Sequence, residues 1–156
     1  MSAICSTGFR SKILGTFTFE ALFNGGCIEI YSGAPPASAD AAPTGTLLAR
    51  ITRESKPWTP GSPTNGLTFH RLGVGVTMPD TQPWGLLGLA AGTAGWCRLR
   101  GMSDPGGVST THPRIDGVVG LRDTPGDFQL RLGTNAMVPD LTIPITSWWF
   151  LLPPLA

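Results

Sequence analysis

The segment from Ile28 to Thr52 constrains the fold of this 156-residue chain more than any other part. Residues 27–31 alternate isoleucine with other side chains, and residues 47–52 form a second apolar run after a loop of small residues. A period of two is typical of a half-buried strand. The loop contains three prolines, which restrict its backbone to extended or turn geometry. We therefore predict that the loop returns Leu48 to the sheet begun by Ile30.

The composition also favours short strands joined by turns. The chain has 21 glycines, 15 prolines, 41% hydrophobic residues and only 13% charged residues, and a disordered chain has the opposite balance of charge and hydrophobicity. Its length suits one domain with its own core. We predict a single-domain antiparallel β-sandwich, jelly-roll-like, over residues 1–156, with long Pro- and Gly-rich loops. Its further strands are predicted at residues 67–71, 74–78, 86–91, 94–100, 118–121, 128–132, 141–145 and 148–152.

The N-terminal region has a helical rather than a strand-like pattern. Apolar residues recur at helical spacing over residues 11–24, Ser11 can cap the first turn, and glycines follow Asn24. We predict a short helix over residues 11–24, preceded by an N-terminal arm over residues 1–10. The alternation of Phe17 and Phe19 leaves a strand as the alternative.

Charge and apolar patterning restrict the possible partners. The formal net charge is +1, and there is no basic stripe to release counterions from phosphates, so we expect no direct contact with nucleic acid. The longest apolar run, residues 148–152, is too short to span a bilayer, so we expect no membrane partner. These features predict a soluble protein made in the cytoplasm.

Neither the cysteines nor the histidines form a recognisable chemical motif. Cys5, Cys27 and Cys97 are odd in number and lack CxxC spacing, which argues against a disulfide framework and a zinc site. His70 and His112 lie in no HExxH, GxSxG or HxE frame. The glycine-rich pieces lack the patterns that bind nucleotide phosphates. We therefore predict no enzymatic activity, no catalytic residues, no metal and no cofactor.

Aromatic residues supply the candidate contact residues. Trp58 and Trp84 fall in predicted loops and are candidate interface anchors. Residues 148–152 are apolar on both faces and need cover from the core or from a partner, which adds Trp148, Trp149 and Phe150 as interface candidates. If such rings formed an exposed shelf, they would instead suit a carbohydrate ligand.

Three blocks of the sequence resemble the signature of a family of small bacteriophage virion proteins. The pattern IYSGxxPxSADAAxTGTLLxxIT occupies residues 30–52, GTAGWxR occupies residues 92–98, and DGxVG occupies residues 116–120. They follow one another in the family's order. The resemblance implies a structural virion protein that is synthesised in the host cytoplasm and is located on the particle.

Within that family resemblance, we expect a capsid decoration or cement protein that stabilises the shell by bridging neighbouring subunits. Its partners would be the major capsid protein or other virion proteins, and it would be a homo-oligomer on the particle. The residues before Ser11 and the Pro-rich loop over residues 56–66 are candidate bridging arms. The alternatives are a minor tail, neck or baseplate protein and, with less support, a carbohydrate-binding role.

Overall fold

The computed structural model describes residues 3–73, 75–79, 81–121 and 131–151. Within these segments the chain is mainly β. The helices are α1 (Thr7–Ile13) and α2 (Phe19–Phe23). The strands are β1 (Ile4–Cys5), β2 (Cys27–Ser32), β3 (Leu47–Arg53), β4 (His70–Leu72), β5 (Gly75–Thr77), β6 (Trp84–Gly88), β7 (Gly92–Arg100), β8 (Arg114–Val118), β9 (Gly120–Leu121), β10 (Arg131–Leu132), β11 (Ala136–Met137), β12 (Thr142–Ile145) and β13 (Trp149–Leu151).

Most of the described strands belong to one antiparallel sheet. Its order is β1-β8-β7-β2-β3-β6-β12, and β11 pairs with the beginning of β7, which makes eight strands. A three-stranded sheet has the order β13-β5-β4, and β9 and β10 form a short parallel pair. Strands β2 and β3 are neighbours, with Ile30 opposite Ala49. The predicted return of Leu48 to the sheet begun by Ile30 is confirmed.

The core lies on one face of the eight-stranded sheet. Ile28, Ile51, Leu86, Leu99 and Ile115 are fully buried, and all five share that face because they alternate with the residues of the other face along their strands. A cluster of rings from the two helices, from β6 and from the residues just before β4 and β13 completes this core. Those rings belong to Phe9, Phe19, Phe23, Phe69, Trp84 and Trp148.

The predicted mainly β, antiparallel fold with a short N-terminal helix is confirmed. The jelly-roll-like arrangement is not confirmed, since among the described residues the two larger sheets hold eight and three strands rather than equal halves. Pro144 cannot donate to a ladder, which predicts an edge strand or a bulge, and β12 lies at the end of the strand order. The part of the predicted strand at 128–132 that precedes β10 lies outside the described residues.

The helix predicted over residues 11–24 is divided into two. Ser6 rather than Ser11 caps α1, because its Oγ accepts a hydrogen bond from Phe9 N at 3.0 Å. Thr18 caps α2 in the same way. Gly15 and its neighbouring threonine, between the helices, are poor helix formers. Among the described residues, neither helix is long or apolar enough to cross a membrane.

The described part of the predicted N-terminal arm lies against the fold. Ile4 and Cys5 pair with β8, opposite Asp116 and Ile115. Phe9 is only 4% exposed. Residues 4–9 therefore extend the sheet and the core of their own chain, and in this conformation they do not project as a bridging arm.

Candidate functional site

The second face of the eight-stranded sheet carries buried charges. The alternation that points Ile28 and Ile30 into the core points Glu29 to the opposite side. Glu29 is opposite Arg98, and Arg98 is opposite Asp116, so these three residues share that face. They are 1%, 2% and 0% exposed, respectively. Because a buried charge is costly unless it is paired, the partners of these groups determine what the face can do.

Glu29 lies at the centre of this charged face. Its Oε1 accepts hydrogen bonds from Arg50 Nε at 3.0 Å and from Arg100 Nη1 at 2.9 Å, and its Oε2 accepts one from the Tyr31 hydroxyl at 2.7 Å. Burial, and then the neighbouring Glu29 carboxylate, raise the pKa of the Tyr31 hydroxyl well above its usual value. Tyr31 therefore stays protonated and acts as a hydrogen-bond donor.

Two further arginines each hold an aspartate with two hydrogen bonds. Arg98 donates to both carboxylate oxygens of Asp116 at 2.7 Å, and Arg114 donates to those of Asp104 at 2.6 and 2.7 Å. Such bidentate pairs are strong and directional. Burial alone would raise the pKa of Asp104, but hydrogen bonds from Arg114 and Gly106 N outweigh it and hold that pKa below its usual value. Burial raises the pKa of Asp116 in spite of Arg98.

Main-chain oxygens of the covering loops accept further guanidinium hydrogens, although Arg100 Nε is buried without a hydrogen-bond partner among the described residues. Arg98 Nη1 donates to Ala41 O at 3.0 Å, and Arg114 Nη1 donates to Gly107 O at 2.7 Å. Arg100 also donates to the main-chain oxygen of Asp104. The loops over residues 33–46 and 101–113 are thus bound to the sheet through its arginines.

The Pro-rich loop contributes an aromatic ring to the same layer. The Trp58 ring lies 5.8 Å from the Arg50 guanidinium carbon and 5.3 Å from that of Arg100, within the range of cation–π contacts. Its Nε1 donates to Gly25 O at 2.7 Å. Trp96 stacks on Tyr31 with ring centres 4.7 Å apart. We call the three covering loops, residues 33–46, 56–66 and 101–113, the loop face.

Asp40 connects the loop face to the N-terminal helix. Its carboxylate accepts hydrogen bonds from Thr7 N at 2.8 Å and from Thr7 Oγ1 at 2.6 Å, and its main-chain oxygen accepts one from Ser109 N at 2.8 Å. One residue of the 33–46 loop therefore holds both α1 and the 101–113 loop. The loop face is fixed by long-range contacts as well as by its prolines.

The outer surface of the loop face differs from the layer beneath it. In residues 33–46 and 103–111, the exposed side chains are small and uncharged, and Val108 is 78% exposed. The charges lie below them, paired and buried. Chemically, the loops over residues 33–46 and 103–111 are pre-ordered and present an uncharged surface, whereas the 56–66 loop begins with the exposed Lys56.

The structure places the predicted aromatic anchors inside the chain. Trp58, Trp84 and Trp148 are 4%, 1% and 0% exposed. Trp84 and Trp148 belong to the core, whereas Trp58 lies in a loop, as predicted, and packs on the arginines beneath it. The predicted loop position of Trp84 is wrong. Trp84 begins strand β6 and packs on Trp148, with ring centres 5.4 Å apart. Phe150 is half-buried and stacks on an α2 ring. The side chain of Trp149 lies outside the described residues.

Of the two histidines named from the sequence, one lies away from this layer and the other lies in the loop face. His70 lies in the exposed strand β4, and His112 lies in the 101–113 loop. Among the described residues, no three His, Cys, Asp or Glu side chains are placed to hold a metal ion. The sequence analysis does not predict that these arginines are buried. Their only local signal is the alternation of Arg98, Leu99 and Arg100.

Two buried cysteines offer a direct test of this packing. We expect Cys27 and Cys97, both 0% exposed, to resist alkylation in the native protein, because burial raises the pKa of the Cys27 thiol well above its usual value and blocks access to both side chains. Half-buried Cys5 should react first. Mass spectrometry after iodoacetamide treatment, with and without urea, measures this order. Native labelling of Cys27 at the denatured rate would contradict the structure.

Comparisons with known proteins add no relative: no family model matches the chain, and neither a curated protein nor a solved structure matches it.

Proposed function

We propose that this chain is a non-enzymatic structural protein of a bacteriophage virion, and within that class a capsid decoration or cement protein. It would stabilise the shell by bridging neighbouring subunits. The observation that carries the proposal is the loop face, whose nearly uncharged outer surface is fixed from below by buried arginine–carboxylate pairs. The resemblance of residues 30–52, 92–98 and 116–120 to virion proteins supports the same class.

A pre-ordered loop face suits binding to a repeated protein lattice. Loops that are already ordered lose little conformational entropy when they bind. On a lattice, several modest contacts act together although each alone is weak. A surface with so few exposed basic side chains favours a protein partner over a phosphate backbone, which requires them. The proposed partners are the major capsid protein or other virion proteins.

A minor tail, neck or baseplate component is the competing position on the virion. The same loop face would serve there, so copy number distinguishes the two: hundreds of copies per particle indicate the shell, and a few to dozens indicate a tail or neck part. A carbohydrate-binding role has less support, because Trp58, Trp84, Trp96 and Trp148 are buried and form no exposed shelf.

Particles that lack this protein should still assemble but should release DNA at a lower temperature than complete particles. The expected cause is the loss of contacts that bridge neighbouring shell subunits. Thermal release of DNA from complete and depleted particles measures the difference. Equal melting, or localisation of the protein on the tail alone, would reject the cement assignment.

A single change on the loop face should weaken binding to such depleted particles. We expect Val108→Asp to reduce occupancy at least about tenfold, since it places a charge in the contact without disturbing a buried group. Val138→Asp is the matched control, because Val138 is 50% exposed and lies outside the loop face. Quantitative mass spectrometry of re-loaded particles gives the occupancy. Equal binding by both variants would show that the loop face is not the contact.

A further inference from the structure

A polar cleft of about 310 Å³ lies at the end of the Pro-rich loop, at the margin of the loop face. Its walls come from that loop, from the link between α2 and β2, from the end of β3 and from a residue just before β6. Its polar side chains belong to Asn24, Arg53, Asn65, Thr68 and Gln82, and none of the described lining residues is acidic. The volume is at the lower end of the range of about 300–1,000 Å³ found for small-ligand pockets.

Hydrogen bonds from N–H groups fix the orientation of two amides in this cleft. Asn24 Oδ1 accepts a hydrogen bond from Phe69 N at 2.9 Å. Gln82 Oε1 accepts one from Thr68 N at 2.8 Å and one from Trp84 Nε1 at 3.2 Å. Because an N–H group must donate to an oxygen here, these contacts identify the oxygen of each amide. The two amide nitrogens therefore keep N–H donors that no hydrogen bond among the described residues uses.

Arg53 adds a positive charge to these neutral donors. It is exposed at the end of β3, and it belongs to none of the ion pairs formed among the described residues. The neighbouring acid, Glu54, is paired with Lys56 instead. The hydroxyl of Thr68 supplies a further donor to the cleft. A guanidinium and neutral N–H and O–H donors around a concave space without an acid form the donor set that a carboxylate requires.

We propose that this cleft binds an acidic side chain of a partner protein. The partner's carboxylate accepts hydrogen bonds from Arg53, Asn24 Nδ2 and Gln82 Nε2. Asn65 adds the acceptor that a peptide needs: its Nδ2 donates to Pro57 O at 2.7 Å, which leaves its Oδ1 for a main-chain N–H of the bound segment. The site does not depend on the virion assignment, because binding is measured on the purified protein. If that assignment holds, the site adds an acidic segment to the surface expected of the virion partner.

Titration of the full-length protein with a short peptide tests the site. The probe is a tripeptide with blocked ends and one central glutamate, and NMR follows the amide signals of Gly66 and Thr68. We expect a dissociation constant on the order of 1 mM, which two or three charge-assisted hydrogen bonds supply. The same peptide with glutamine instead of glutamate should bind at least about tenfold more weakly, because it lacks the charge. Inorganic phosphate that bound as tightly as the glutamate peptide would show a general anion site and would overturn the peptide assignment.

Variants of the cleft separate its donors from its packing. Gln82→Glu keeps an acceptor for Thr68 N and Trp84 Nε1 but replaces the amide donors with a negative charge, so it should abolish binding of the glutamate peptide. Arg53→Gln, at an exposed position, should raise the dissociation constant at least about tenfold. Arg71→Gln is the matched control, because Arg71 is an exposed arginine outside the cleft. Wild-type protein that binds neither peptide, or that binds both equally, would overturn the proposal, as would undiminished binding by both cleft variants.

Discussion

Replacing Asp104 with asparagine is expected to lower the free energy of unfolding by about 3–5 kcal/mol. Asp104 and Arg114 are both 0% exposed, and two short hydrogen bonds join them. Removal of the carboxylate charge leaves the Arg114 guanidinium buried without a compensating charge. Removing one partner of a buried ion pair therefore costs far more stability than replacing both partners by well-packed apolar side chains would.

Chemical denaturation with urea measures this change, and an exposed pair provides the control. Glu54→Gln removes the acid from the surface ion pair with Lys56, and it should have no measurable effect on unfolding. A loss below about 1 kcal/mol for Asp104→Asn would contradict the account, since it would place Asp104 and Arg114 within reach of water.

The pH dependence of the same comparison tests the charge itself. The pKa of Asp104 is lower in the folded protein than its ordinary value of 3.8. The stability from its ionised form is therefore complete above about pH 4 and is lost as the pH falls through the lowered pKa. The difference in stability between wild type and Asp104→Asn should shrink over that range. A difference that is constant from pH 7 to pH 2 would point to packing rather than charge.

The effect should also be local to the loop face. Arg114 donates to Gly107 O, and its Nη1 lies 3.4 Å from Ala39 O. Without the Asp104 carboxylate, the Arg114 guanidinium is less firmly held, and it then binds the 33–46 and 101–113 loops less firmly. Amide hydrogen exchange in residues 33–46 and 101–113 should rise more than exchange in strand β3, which pairs on both sides.

The strands could be predicted from the sequence because their signal is local. Ile28, Glu29 and Ile30 alternate, and that alternation is a property of neighbouring residues. Pro144 marks an edge for an equally local reason, since it lacks a donor. Strand limits depend on more distant residues: the sequence predicts Trp84 in a loop, whereas it begins β6 and pairs with Arg53 of β3.

The buried ion pairs of the candidate site could not be predicted in this way, because the paired residues are distant in sequence. Arg98 and Asp116 are 18 residues apart, and Arg100 and Glu29 are 71 apart. An alternating Arg98-Leu99-Arg100 strand has the same pattern whether the charged face meets water or a covering loop. Only the paths of the three loops decide between these environments, and those paths depend on glycine and proline geometry and on long-range hydrogen bonds.

A second large loss of stability is expected when Trp148 is replaced by alanine. Trp148 is fully buried and contacts Trp84 and Phe69, with ring centres 5.4 Å away in each case. Trp84 belongs to the eight-stranded sheet, whereas Trp148 leads into β13 of the smaller sheet, so this ring joins the two. Truncation of a buried tryptophan leaves a cavity and costs about 3–5 kcal/mol.

The indole nitrogen allows the packing to be separated from hydrogen bonding. Trp148 Nε1 is buried and has no hydrogen-bond partner among the described residues. Trp148→Phe therefore gives up ring volume but no hydrogen bond, and we expect it to lose about 1–2 kcal/mol, well under the loss for alanine. Thermal and urea unfolding of both variants give the two values. Equal losses for phenylalanine and alanine would mean that the Nε1 group has a partner and that hydrogen bonding, rather than the ring stack, holds the smaller sheet to the larger one.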